Sequence, residues 1–227
     1  MSRLRRRGDS AVLPHQKFRW RDGSGSATVW LDRMAKRILA TLSDTRLFVQ
    51  EWLANPQHTG AIAPSSARLA NAMARWLPTD AEQFVVELGP GTGAITTQLL
   101  RRGLREDRLV AIEQNPRMAA CLHERFPRAH IITGDAWQLD VLLAKFLPAD
   151  AQIGAVVSSL PLLNFPKAHA AALARKIHDV LGPAGTWVQF SYHLTREKLH
   201  GSERFARLDS DVIWLNLPPA RVSAYRK

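Results

Sequence analysis

The stretch Glu87-Leu88-Gly89-Pro90-Gly91-Thr92-Gly93 sets one acid and three glycines where the hydrophobic run FVVEL gives out. Glycine removes the side chains that would keep a ligand away from the backbone. A helix beginning just past Gly93 would aim its unpaired N–H groups at whatever approaches. A second acid, Glu113, ends the next hydrophobic run, LVAIE. Taken alone, the turn admits a dinucleotide, a phosphate or an adenosyl group. With Ala94 it reads as the dinucleotide form G-x-G-x-x-A, and Glu113 would then accept from ribose hydroxyls. A purely structural turn is the plain alternative.

The elements that must position these residues come at regular spacing. Strand-like runs occupy 84–88, 109–113, 130–133, 153–158 and 186–192, and helical patterns fill 94–102, 116–125, 137–146 and 168–181 between them. Strand, helix, strand at this interval predicts βαβ crossovers in a doubly wound, mostly parallel α/β sheet, with ligands held at the carboxyl ends of its strands. The tail VIWLNLPPARVSAYRK offers two more short strands around Pro218 and Pro219 that could hairpin onto the sheet edge, making seven. Little length is left for the second mononucleotide half and substrate domain that a dinucleotide enzyme needs.

Ahead of the sheet, residues 1–26 read as a flexible basic arm, and residues 27–59 as an amphipathic helical extension carrying Trp30, Leu31, Met34 and Ile38 beside Arg33, Lys36 and Arg37. The catalytic-size domain is expected over 60–227, with Ser65 or Ser66 capping a helix that runs through Trp76. The first thirty-seven residues hold ten Lys or Arg against three acids, and the whole chain carries a formal charge of +11. That balance favours an anionic partner, either nucleic acid or a phospholipid surface. No apolar run reaches about eighteen residues, so membrane contact would be peripheral. The single cysteine, Cys121, cannot form an internal disulfide, fits a cytosolic compartment and is expected to be a buried apolar residue.

In order and spacing, VVELGPGTGAITTQLL, LVAIEQNP, TGDA and VVSSLPLLNFP resemble the successive motifs of class I S-adenosylmethionine-dependent methyltransferases. The fuller set, with NPQHTGAIAPSS upstream and NLPPARVSAYR at the end, is similar to the bacterial phospholipid N-methyltransferases that act on phosphatidylethanolamine, over roughly residues 45–227. The resemblance implies S-adenosylmethionine as cofactor and no metal. It implies that Glu87 and the turn Gly89, Gly91, Gly93 surround the methionine portion, and that Glu113, with Gln114 beside it, holds the ribose. Asp135 would accept from the adenine amino group while Ala136 supplies a backbone N–H. Ser158, Ser159 and the Leu-Pro after them would line the gap beneath the methyl. Asp135 also has the signature of a helix N-cap before Trp137, and both roles are compatible.

The rival resemblance is to the ribosomal RNA adenine dimethyltransferases, which share the glycine turn. They carry Asn or Asp, then Pro, Pro or Leu, and an aromatic, where this chain has Ser158, Ser159, Leu160, Pro161 and Leu162. Nucleic acid is therefore the weaker expectation, and a non-catalytic basic membrane-binding module is a further alternative.

A sulfonium methyl is already activated, so the protein must supply a neutral amine in line with it. Phosphatidylethanolamine presents an ammonium, which has to lose a proton first. Tyr192 and His193, ending the fifth strand on the same edge, are the candidates: His193 as proton acceptor, Tyr192 as the group that positions the amine. Phe165, Trp30 and Tyr192 could face the methylated head group. Arg33, Arg37, Arg196 and Arg221 could bind the lipid phosphate. The expectation is a monomer on the cytoplasmic face of the inner membrane, converting phosphatidylethanolamine and its methylated derivatives toward phosphatidylcholine.

Overall fold

The computed structural model of the chain describes residues 67–78, 80–194, 199–216 and 219–227. The basic arm, the helical extension with Trp30, Arg33, Met34 and Arg37, the caps at Ser65 and Ser66, the expected boundary near residue 60, and Arg196 lie outside the described residues.

Helix α1 (Ala67–Ala74) precedes strand β1 (Phe84–Leu88). Then alternate α2 (Ala94–Arg101), β2 (Leu109–Glu113), α3 (Pro116–Arg125), β3 (His130–Thr133), α4 (Leu139–Phe146), β4 (Ile153–Ser158), α5 (Lys167–Val180) and β5 (Thr186–Ser191), followed by β6 (Ala206–Ile213) and β7 (Ala220–Arg226). The sheet has seven strands in the order β3-β2-β1-β4-β5-β7-β6. β1 to β5 are parallel, and β7 is antiparallel to both β5 and β6.

The interior strands form because they are apolar on both faces. Every residue of β1, β2 and β4 is buried, and successive side chains serve opposite faces. Val86, Leu88, Val110, Ile112 and Val156 pack with α4 and α5, while Val85, Leu109, Ala155, Val157 and Val188 pack with α1 and α2. Burial of this kind is worth about 25 cal/mol per Å² of apolar surface, enough to hold the strand ends rigidly where the sheet meets solvent.

Strand order reverses between β1 and β4. The chain winds one way through β2 and β3, then returns to the other side of β1, and that switch point opens a crevice at the carboxyl ends. The glycine turn leaves β1 there.

Three expectations need correction. Cys121 is exposed: α3 turns Ala119 and Leu122 inward, and Cys121 lies off that stripe. β6 begins at Ala206, well before the expected tail strand, and β7 inserts beside β5, which leaves β6 as the outermost strand. Its Arg207, Asp209 and Asp211 suit an edge that must not pair further. The helix expected from 137 starts at Leu139, after a 3₁₀ turn over Ala136–Gln138.

Candidate active site

All three glycines of the turn have positive φ: 69° at Gly89, 56° at Gly91 and 75° at Gly93. Their surroundings differ in an informative way. A Cβ on Gly93 would come within 2.9 Å of Leu122 Cδ2, and one on Gly89 within 3.0 Å of Leu160 Cδ2, so these two are also packing positions. A Cβ on Gly91 would meet nothing within 4 Å. The space above Gly91 is the room a ligand needs for close approach to the backbone. Behind the turn, Arg125 donates to the carbonyl of Thr92 and stacks over Phe126, which fixes the turn from the helix side.

Glu87 lies at the floor of this turn, wholly buried. Its Oε2 accepts from the Thr96 hydroxyl at 2.7 Å, and its Oε1 is buried with no partner. Burial pushes the carboxyl up to about 7, the Thr96 bonds pull it partly back, and the nearby Glu113 raises it further. An orphaned buried carboxylate oxygen at the foot of a glycine turn suits a cationic ligand group.

Glu113 ends β2 one strand over, only 8% exposed. Its Oε2 accepts from the Gly91 N–H at 3.0 Å and its Oε1 from the Asn115 N–H at 2.9 Å. Each oxygen keeps a second lone pair, so the carboxylate is oriented by the backbone and still able to accept from a diol. Asn115 caps α3 by accepting from the N–H groups of Arg117 and Met118, with Pro116 at the first helical position. Gln114 is exposed at the rim. At the next strand end, Asp135 Oδ1 caps the 3₁₀ turn by accepting from the Trp137 N–H at 3.0 Å. Ala136 beside it is buried. The structure brings Glu87, the three glycines, Glu113 and Asp135 to one edge of the sheet.

On the other side of the switch point, Ser158 pairs with Leu88 in register. Ser159 donates its N–H to the Leu88 carbonyl at 2.9 Å, and its hydroxyl is buried without a partner. Gln189 on β5, opposite Ser158, donates both amide N–H groups, to the carbonyls of Leu160 at 2.7 Å and Phe190 at 2.8 Å. Its Oε1 is left buried and unpaired. Nothing in the sequence singles out Gln189, which shares β5 with Thr186 and Ser191. It locks the chain leaving β4, and Leu160 on that chain covers Gly89.

Tyr192 leaves β5 and packs edge-on against Phe190, with centroids 5.3 Å apart. Burial raises its phenol above the ordinary value of 10.0, so it stays protonated and can donate but not serve as a base. His193 Nε2 lies 3.4 Å from Asn164 Oδ1, which ties the β5 exit to the loop after β4, and the His193 backbone N–H donates to the Ser191 hydroxyl at 3.0 Å. Asn164 was also passed over. Phe165 meets Trp137 at 4.6 Å and His169 at 6.1 Å, so its ring contacts lie beside Asp135 and Ala136 and not with Tyr192. Arg221 donates twice to the Leu194 carbonyl and once to Ser210. Its guanidinium braces the segment after Tyr192 and His193. Among the described residues no group of three or more His, Cys, Asp or Glu could hold a metal ion.

A seven-stranded sheet with β7 inserted antiparallel beside β5, and a glycine turn and acids at its switch point, is the arrangement of a class I S-adenosylmethionine-dependent methyltransferase. Residues 85–185 match the family described as Methyltransferase domain. The chain is 33% identical over 187 residues to an ornithine lipid N-methyltransferase of Singulisphaera acidiphila, covering 79% of this chain and 94% of the relative. It is 36% identical over 124 residues to a ribosomal RNA small subunit methyltransferase A of Xanthobacter autotrophicus, covering 53% of this chain but only 37% of that protein. The N-methyltransferase NodS of Bradyrhizobium japonicum, solved with S-adenosyl-L-homocysteine, superposes with a TM-score of 0.55 at 17% identity over 73% of this chain and 89% of that one. The chain belongs to the class I S-adenosylmethionine-dependent methyltransferases and is related to their lipid and small-molecule N-methyltransferases.

Proposed function

We propose that the protein transfers methyl groups from S-adenosylmethionine to the primary amine of a membrane lipid head group, with phosphatidylethanolamine as the acceptor its motifs imply. One observation carries this reading: the likeness to a lipid N-methyltransferase extends over 94% of that relative, while the likeness to the ribosomal RNA enzyme stops at 37%. A second reading, favoured by the same relative, is that the acceptor is ornithine lipid. Both head groups set an amine near an anion, phosphate in one and carboxylate in the other.

The bound cofactor supplies a methyl carbon bonded to a positive sulfur. On this reading the chain's own residues do the rest. Glu87 and the turn from Gly89 to Gly93 would take its amino-acid end, Glu113 the ribose, and Asp135 with Ala136 the base. Charge supports the first assignment, because the orphaned Oε1 of Glu87 gains a cationic partner. Attack on the methyl carbon would require the acceptor nitrogen to be deprotonated, with its lone pair free and the leaving electron pair carried off on sulfur. His193 would take the proton, and the Tyr192 hydroxyl would orient the amine. Head groups would reach the site from a membrane surface, to which the extension with Trp30, Arg33, Met34 and Arg37 would contribute. Supplying vesicles of phosphatidylethanolamine or of ornithine lipid with labelled cofactor distinguishes the acceptors by which lipid gains mass. No label in either would reject the proposal.

A further inference from the structure

The two most exposed large apolar side chains of the described residues are neighbours, Trp214 and Leu215, each at 69%. They follow directly on β6, in the turn toward β7. Register fixes where that turn lies. Ser191, the last residue of β5, pairs with Arg221, and Arg221 pairs with Val212, while Ile213 pairs with Ala220. The turn therefore projects beyond the end of β5, on the same sheet edge as Tyr192, His193, Ser158 and Glu87. Its base is anchored, since Ile213 packs with the core around Val222 and Ala220 and Arg221 holds Ser210.

We propose that the β6–β7 turn is a membrane-docking tip, with Trp214 and Leu215 entering the head-group and upper acyl region of a lipid bilayer so that the active-site edge faces the membrane. The inference rests on the lipid-acceptor reading above and assigns a surface to it. Tryptophan favours the interfacial region, where its ring is buried and its N–H stays wet, and leucine beside it adds apolar depth. The two side chains together offer on the order of 300 Å² of apolar surface, well under the ~800 Å² per partner of a stable protein interface, but suited to shallow insertion. Lys167, exposed at the start of α5 just past the β4 exit on this edge, is in no ion pair among the described residues and can meet lipid phosphates, in keeping with the chain's +11 charge.

The test uses the full chain and the double variant Trp214→Ser, Leu215→Ser, whose sites are exposed enough for the fold to persist. Binding of S-adenosyl-L-homocysteine should be unchanged. Partitioning to vesicles of phosphatidylethanolamine with phosphatidylglycerol, and turnover on them, should fall by at least about tenfold. Turnover on the same lipids in detergent micelles should stay within about twofold, because a micelle presents head groups without docking to a bilayer. Trp214→Phe with Leu215 kept should restore most of the vesicle binding. Equal vesicle binding and turnover by the double variant would overturn the tip and leave the lipid reading standing. Equal binding with a change in self-association would instead mark the tip as a contact between copies. Wild-type protein that methylates no lipid amine even in micelles would overturn both.

Discussion

Glu87→Gln isolates the most unusual group in the site. The Glu87 carboxyl is fully buried, with an ordinary value of 4.5 that rises to about 7 in the fold, chiefly because burial disfavours the charged form. A carboxyl raised on folding makes the native state hold the extra proton. Its contribution to stability is full below 4.5 and is lost as pH rises through 7. With each unit worth about 1.4 kcal/mol, ionising Glu87 in the unliganded protein costs about 2 to 3 kcal/mol between pH 5 and pH 8. Glutamine keeps an acceptor for the Thr96 hydroxyl and removes the titration. Its amide N–H groups find no acceptor at the Oε1 position, a fixed penalty of about 1 to 3 kcal/mol at every pH. Urea unfolding of both proteins at pH 5, 6, 7 and 8 should therefore show the variant less stable at pH 5, with the gap closing or reversing by pH 8. Parallel pH profiles would refute the reasoning. Adding S-adenosyl-L-homocysteine should flatten the wild-type profile, since a cation beside Glu87 favours the carboxylate.

Other substitutions separate backbone shape from ligand contact. Gly91→Ala should cost about 1 to 2 kcal/mol of stability for the left-handed backbone but weaken cofactor binding by more than that, because the new methyl enters open space where a ligand would approach; thermal melts paired with titration calorimetry compare the two losses. Gly93→Ala should destabilise more than Gly91→Ala, since its methyl would come within 2.9 Å of Leu122, and the same melts would show the order reversed if packing were unimportant. Glu113→Ala should weaken cofactor binding by roughly 2 to 5 kcal/mol, removing the diol acceptor together with the group that orients the Gly91 N–H; calorimetric affinity unchanged in a folded variant would remove Glu113 from the site. His193→Ala should reduce turnover more at pH 7 than at pH 9, where more of the amine is already neutral, whereas an equal loss at both would assign His193 to holding Asn164.

How far the sequence disclosed this arrangement depended on burial. β1, β2 and β4 coincide with the runs read from the sequence because these interior strands are buried on both faces, and β3, at the sheet edge, because Ile131 and Ile132 still mark a short apolar run; Gly, Gln or Ser follows each. β6 escaped because its exposed Arg207, Asp209 and Asp211 give an edge strand no apolar alternation to read. Glu87, the glycines, Glu113 and Asp135 stand at strand ends, so locating the strands also located them. Gln189 and Asn164 were invisible for the converse reason. Their partners, the carbonyl of Leu160 and the ring of His193, are 29 residues away in each case, and no local pattern marks such a contact. Cys121 was misread because a cysteine in a helix says nothing about which way the helix is turned. Arg221 is one of four arginines the sequence offers for a lipid phosphate, and its donors go to Leu194 and Ser210, a bracing role that no local pattern marks.

The central claim is that the amine of a lipid, and not a nucleobase, receives the methyl group. Purified full-length protein given methyl-labelled S-adenosylmethionine together with phosphatidylethanolamine vesicles, ornithine lipid vesicles and unmodified small-subunit ribosomal RNA tests it in one tube, with lipid extracted from RNA before counting. The account predicts label in the lipid phase, on nitrogen, with the RNA unlabelled. Label recovered in RNA, with the lipids unmodified, would contradict it.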